Sequence, residues 1–124
     1  MLPLYSLSRT SPVTFRWAAS PATVLISLDH AEPLTVQIRL RAFNYAGATP
    51  QTIALTVNGR TFGPVPVPDR WETLEFATGI DAWRGRVNRV RFDFARVRTP
   101  AELGLSGDTR PLAAAVDYIR VQRR

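Results

Sequence analysis

The chain contains no cysteine and no lysine, a single histidine and a single methionine. Each shortage removes a class of chemistry. Without cysteine there is no disulfide framework, no thiolate metal site and no thiol nucleophile. The only imidazole, His30, sits in the turn Asp29-His30-Ala31-Glu32-Pro33. A serine-type hydrolase would therefore lack a base beside its nucleophile, and the nitrogen and sulfur ligands of structural zinc cannot be assembled. Among ten acidic residues, Glu72 and Glu75 fall on opposite faces of one expected strand, and no spacing supports the carboxylate pair of a glycosidase. The expectation is a domain that is not an enzyme and needs no cofactor. Structural calcium is the one metal option, if Asp29, Glu32 and Asp117 meet at a sandwich edge.

Long apolar runs are absent as well. The uncharged, largely apolar stretch from Trp17 to Leu28 is interrupted by Ser20 and Pro21 and falls far short of the roughly 20 residues that span a bilayer. No membrane span is expected, and Met1-Leu2-Pro3-Leu4 lacks the basic start and apolar core of a signal peptide. Any export signal would lie outside these residues. All 16 basic charges are arginine, against 10 acidic ones, which gives a net charge of +6. Such an excess draws acidic partners, but wholesale use of arginine is also what a GC-rich genome imposes, so charge alone names no ligand.

What is present is alternation. In Leu34-Thr35-Val36-Gln37-Ile38-Arg39-Leu40-Arg41-Ala42 the even positions are apolar and the odd ones polar, the pattern of a half-buried antiparallel strand. The same period aligns Val13, Phe15 and Trp17; Val24, Ile26 and Leu28; Ile53, Leu55 and Val57; and Val90, Phe92 and Phe94. Turn residues separate these runs at Ser20-Pro21, 29–33, 46–50, Asn58-Gly59, 64–68 and Gly85, a spacing that predicts a sandwich or barrel. Asn58-Gly59 is the most specific of them, because a two-residue type I′ hairpin needs positive φ at both central positions. It should join 52–57 to 60–63. Helix chemistry occurs once, in Thr99-Pro100-Ala101-Glu102, which has an N-cap threonine, proline at the first helical position and glutamate three residues after the cap. It predicts one turn between Thr99 and Leu105, inside a long loop near 96–111. The last strand should run from Ala114 to Val121. A length of 124 residues suits one all-β domain over 1–124, an antiparallel sandwich of about eight strands, expected to be a module of a larger protein or assembly.

The runs Leu55-Thr56-Val57-Asn58-Gly59-Arg60, Pro68-Asp69-Arg70-Trp71-Glu72-Thr73-Leu74-Glu75-Phe76, Arg86-Val87-Asn88-Arg89-Val90-Arg91-Phe92 and Val116-Asp117-Tyr118-Ile119-Arg120-Val121 together resemble the galactose-binding-domain-like jelly roll. The resemblance covers roughly residues 13 to 122. It extends to carbohydrate-binding modules of that superfamily and to sandwich domains attached to bacterial surface-glycan glycosyltransferases. It implies a jelly-roll architecture, an extracellular or periplasmic setting, and ligand contacts carried by loops.

Consecutive antiparallel strands send alternate connections to opposite ends of a sandwich. Loops 44–50, 64–70 and 95–111 should therefore converge, bringing together Asn44, Tyr45, Arg70, Arg98, Asp108 and Arg110. Tyr45 would supply a stacking face and the others hydrogen bonds. The opposite end, with His30, the tight Asn58-Gly59 turn and Trp83, offers little concave surface. Trp17 fits the inward period and Trp71 opens a strand after Pro68-Asp69-Arg70, so both read as core, whereas Trp83 is either an end plug or a platform. Three readings stay open: a carbohydrate-binding or glycan-docking module; a structural domain packing on a partner protein domain or subunit; and a polyanion binder using Arg39 and Arg41 with Arg89 and Arg91, which would form one patch if adjacent across a sheet. Nucleic acid is the poorest partner, because no aromatic residues interleave with the arginines for base stacking.

Overall fold

A computed structural model describes residues 4–6, 17–18, 20–108 and 111–124. Val13, Phe15 and Arg110 lie outside the described residues, and for Trp17 only the backbone is described. Nine strands are present among the described residues: β1 (Leu4–Ser6), β2 (Trp17–Ala18), β3 (Ala22–Leu28), β4 (Leu34–Ala42), β5 (Gln51–Val57), β6 (Arg60–Val67), β7 (Glu72–Thr78), β8 (Arg86–Phe94) and β9 (Ala114–Arg123). They form a five-stranded sheet in the order β1-β3-β8-β5-β6 and a four-stranded sheet in the order β2-β9-β4-β7. Every pairing is antiparallel except that of β1 with β3. The chain is an all-β sandwich, as the alternation requires.

Period two sorts the side chains. Val24, Ile26 and Leu28 on β3, Leu34 through Leu40 at even positions on β4, Ile53, Leu55 and Val57 on β5, and Val90, Phe92 and Phe94 on β8 are all buried in one contiguous core. Each such apolar side chain contributes roughly 1.5–3 kcal/mol by leaving water, and the residues that alternate with them point outward. Asn58 (φ 48°) and Gly59 (φ 87°) form the β5–β6 hairpin with Val57 paired to Arg60, the positive angles that the Asn-Gly pair was expected to supply.

Four expectations change. The turn predicted at 64–68 is instead the second half of β6. This strand lies at a sheet edge, where a proline's missing N–H faces outward without breaking a ladder. The Thr99 capping box does form, with Glu102 Oε1 accepting from the Thr99 N–H at 2.7 Å and Thr99 Oγ1 accepting from the Glu102 N–H at 3.1 Å. It ends in a turn, while the 3₁₀ segment lies at Ile80–Ala82. Arg39 and Arg41 stand on β4 and Arg89 and Arg91 on β8, in different sheets; they face outward on opposite sides of the sandwich and make no common patch. Trp71 is not core, being 41% exposed, because Leu40 pairs with Glu72 and so places Trp71 beside outward-facing Arg41.

Candidate functional site

One end of the sandwich is closed by polar packing. Asn88 is fully buried. Its Nδ2 donates to the carbonyls of Ile26, Arg84 and Arg86, and its Oδ1 accepts from Asn58 Nδ2 and the Arg84 N–H. Asn58 also donates to the Ala82 carbonyl at 3.0 Å. Trp83 is a plug and not a platform: it is buried, and its indole Nε1 donates to Thr78 Oγ1 at 2.7 Å, which in turn donates to the Leu34 carbonyl at 2.6 Å. The recess nearest this end, of about 310 Å³, lies on the outer face of the five-stranded sheet among Thr56, Gly59, Thr61, Arg89 and Arg91, with no carboxylate or aromatic ring in its lining.

The other end is open. Loops 43–50, 68–70 and 95–98 do converge, through bonds from the Ala42 N–H to the Pro68 carbonyl and from the Phe43 N–H to the Ala113 carbonyl. Buried Gln51 fastens them from below. Its amide donates to the carbonyls of Arg96 and Ala113 at 2.8 and 3.1 Å, and its Oε1 accepts from the N–H groups of Thr52 and Arg96, so both ends of the side chain are satisfied. Above it opens a crevice of about 220 Å³, with Ala42, Gln51 and Val67 at its base and Asn44, Thr49, Asp69 and Arg96 among its walls. Asn44 Nδ2 donates to Asp69 Oδ2 at 3.2 Å. Arg96 Nη1 donates to the Phe43 carbonyl at 2.6 Å, with its guanidinium carbon 5.1 Å from the Tyr45 ring centroid.

Of the six expected site residues, Asn44 lines this crevice and Tyr45 backs it. Tyr45 is half-buried, tilted against Phe43 at 5.7 Å and covered on one face by Arg96, so it braces the arginine. Arg70 stands exposed on the adjoining loop, 3.8 Å from Glu72. Arg98 and Asp108 are not brought to the crevice, because the long loop folds on itself: Arg98 and Leu112 exchange backbone bonds, and the Asp108 carbonyl accepts from the Ala101 N–H at 2.8 Å. Arg110 is outside the described residues. Sequence reasoning missed Asp69 and Arg96. Asp69 was legible in the Pro68-Asp69-Arg70 turn, whereas Arg96 reaches Phe43 across 53 residues of chain and carries no local signal. The proposed calcium ligands are not gathered: Glu32 contacts His30 and Arg123, Asp117 contacts Arg39, and no three acidic or histidine side chains cluster among the described residues.

No protein-family profile matches this chain, and neither does any curated protein. Solved structures do resemble it. A family 35 carbohydrate-binding module from an environmental isolate shares 17% identity with a TM-score of 0.56, over 93% of this chain and 74% of that one. The sugar-binding C-terminal domain of EclA shares 12% with a TM-score of 0.55, over 92% and 79%. A ruminal GH26 endo-β-1,4-mannanase shares 15% with a TM-score of 0.57, but this chain spans only 19% of its length. For a Listeria monocytogenes protein solved with glucose, magnesium and calcium (20% identity, TM-score 0.53), the span is 10%. The likeness is one of fold: the chain is a jelly-roll sandwich of the kind seen in carbohydrate-binding modules, and enzymes that share it do so over a small part of their chains.

Proposed function

We propose that this chain is a non-catalytic carbohydrate-binding module, exported as part of a larger protein or assembly, that holds a polar sugar in the crevice beside Asn44. The observation that carries this reading is the composition of the crevice: a base of Ala42, Val67 and the Gln51 side chain with an amide, a carboxylate, a hydroxyl and a guanidinium around it. Sugar hydroxyls are both donors and acceptors, and a fixed carboxylate and guanidinium give the stronger, charge-assisted class of bond. Asp69 accepts from ring hydroxyls, Arg96 donates, and Asn44 does either. Arg70 extends the rim, and Arg98 and Asp108 belong to the adjoining loop. The sandwich fold shared with sugar-binding domains supports the assignment at the level of architecture. No turnover of glycosides, esters or phosphoesters is expected, since no nucleophile and base pair stands in the crevice; hydrolysis abolished by replacing one carboxylate would reverse this.

A glycan array read at low and high salt tests the module, because hydrogen bonds within a crevice outlast the screening that removes surface attraction. Asp69→Ala should then weaken the best ligand tenfold or more, about 1.4 kcal/mol. Asp69 is exposed, so its unfolding free energy should change by less than about 1 kcal/mol. Unchanged affinity in that variant would remove the crevice from consideration, and silence across the array would favour docking to a partner domain.

A further inference from the structure

We propose that the outer face of the four-stranded sheet carries a second contact surface, centred on Trp71, that receives an oxyanion-bearing sugar of a longer glycan whose other end lies in the crevice. The inference rests on the crevice reading and extends it. Trp71 is 41% exposed, on a residue type that ordinarily buries a large apolar area. Arg41 and Arg39 hold it, with guanidinium carbons 5.4 and 5.8 Å from its ring centroid.

The charge on this face is arranged to leave a cation beside the indole. Asp117, the extra residue where β9 shifts register against Arg39 and Leu40, contacts Arg39 Nε at 3.2 Å, and Glu75 accepts from the Gln37 amide at 2.6 Å. Both carboxylates are thus engaged on the face itself, while Arg41 makes no ion pair among the described residues. Across β4, Tyr118 pairs in register with Arg39, and Arg120 lies 5.1 Å from its ring; the buried Arg120 Nε has no hydrogen-bond partner. Trp71 and Tyr118 are two strand spacings and two residues apart, roughly 12 Å.

Position links this surface to the crevice. Asp69 lines the crevice and Trp71 follows two residues later, at most about 7 Å along the chain. A glycan leaving over Asp69 meets the indole next. Stacking on Trp71 serves any pyranose, but the guanidinium fork of Arg41 adds a bidentate site for a carboxylate or a sulfate ester, and a neutral sugar gains nothing from it.

Titration calorimetry of the intact chain with galacturonate, hexagalacturonate, the methyl ester of that hexamer and a sulfated hexasaccharide tests the proposal. Wild type should bind at least one charged hexamer about tenfold more tightly than the neutral ester, and the tighter of the two identifies the oxyanion. Trp71→Ala should weaken the hexamers tenfold or more, leave the monosaccharide unchanged and melt within a few degrees of wild type. Arg41→Gln should erase the preference for charge and leave the ester unaffected. Hexamer affinity unchanged in Trp71→Ala, or an ester bound as tightly as both charged hexamers, overturns the second surface while the crevice stands. Absence of binding to every sugar overturns both.

Discussion

Replacing Asn88 with alanine is expected to cost about 3–5 kcal/mol of folding free energy, a large share of the 5–15 kcal/mol that holds a typical domain together. Asn88 is fully buried and uses both ends of its amide, donating to three carbonyls and accepting from Asn58 and the Arg84 N–H. Alanine deletes all these bonds at once, and a buried group left without a partner costs about 1–3 kcal/mol. The Ile26 carbonyl is deepest and should dominate, while those of Arg84 and Arg86, on exposed residues, recover some hydration. Asn88→Asp is the sharper variant, because it puts a carboxylate oxygen where Nδ2 now faces three carbonyl oxygens; it should be at least as damaging as alanine. Urea unfolding followed by tryptophan fluorescence checks both. A loss below about 1 kcal/mol for either variant would mean that the network does not hold this end shut.

Asn88 also shows which features a sequence carries in plain view. It occupies an inward position of the series Asn88, Val90, Phe92 and Phe94, as Gln51 does before Ile53, Leu55 and Val57, and Thr78 does after Leu74 and Phe76. These are the polar residues buried in the described part of the sandwich; Gln51 and Thr78 stand at strand ends and Asn88 two residues inside one. At a strand end the ladder stops and the carbonyls and N–H groups of the connections need partners. A polar residue at an inward position at or near a strand end is therefore a readable sign of a tied loop. Parity also places Trp71 correctly: Leu74, Phe76 and Thr78 are even, so an odd-numbered tryptophan just before β7 must face outward. The reading of Trp71 as core neglected this phase, and burial follows strand phase before side-chain type.

What stayed hidden was long-range. Apart from β1 and the second half of β6, the strands, the Asn58-Gly59 hairpin and the convergence of three loops followed from local pattern, because each long strand has one face on the core and register cannot slip without exposing it. The partnering of β4 with β9 and of β8 with β3 and β5 has no local marker, so the two arginine pairs could be placed on outward faces but not on the same or different sheets. Crevice membership failed for the same reason. Asn44 and Asp69 come together only because Ala42 and Pro68 exchange a backbone bond, and Arg96 enters because Gln51 holds the exit of β8 against the entry of β9. Arg98 and Asp108 looked available in an unstructured loop, but the loop satisfies its backbone groups internally, as a long connection in a compact domain must.

Trp83→Ala should lower the unfolding free energy by about 3–5 kcal/mol, the usual cost of truncating a buried tryptophan, and the melting temperature by on the order of 10–20 °C. The indole is buried beneath the Gly79 to Gly85 connection, and its Nε1 bond holds Thr78, which in turn holds the Leu34 carbonyl. Truncation therefore empties a volume and loosens a relay joining β7 to β4. Trp83→Phe should recover most of the packing and lose about 1–2 kcal/mol, because Thr78 keeps its own donor bond and forfeits only the indole. Calorimetric melting separates the two variants. The same variants decide which end of the sandwich holds the sugar, since Trp83 and the crevice lie at opposite ends of β5. Well below its melting temperature, Trp83→Ala should bind the array's best ligand within about twofold of wild type. A folded Trp83→Ala protein that has lost its ligand would move the binding site to the Asn58 end and leave the crevice beside Asn44 without a role in recognition.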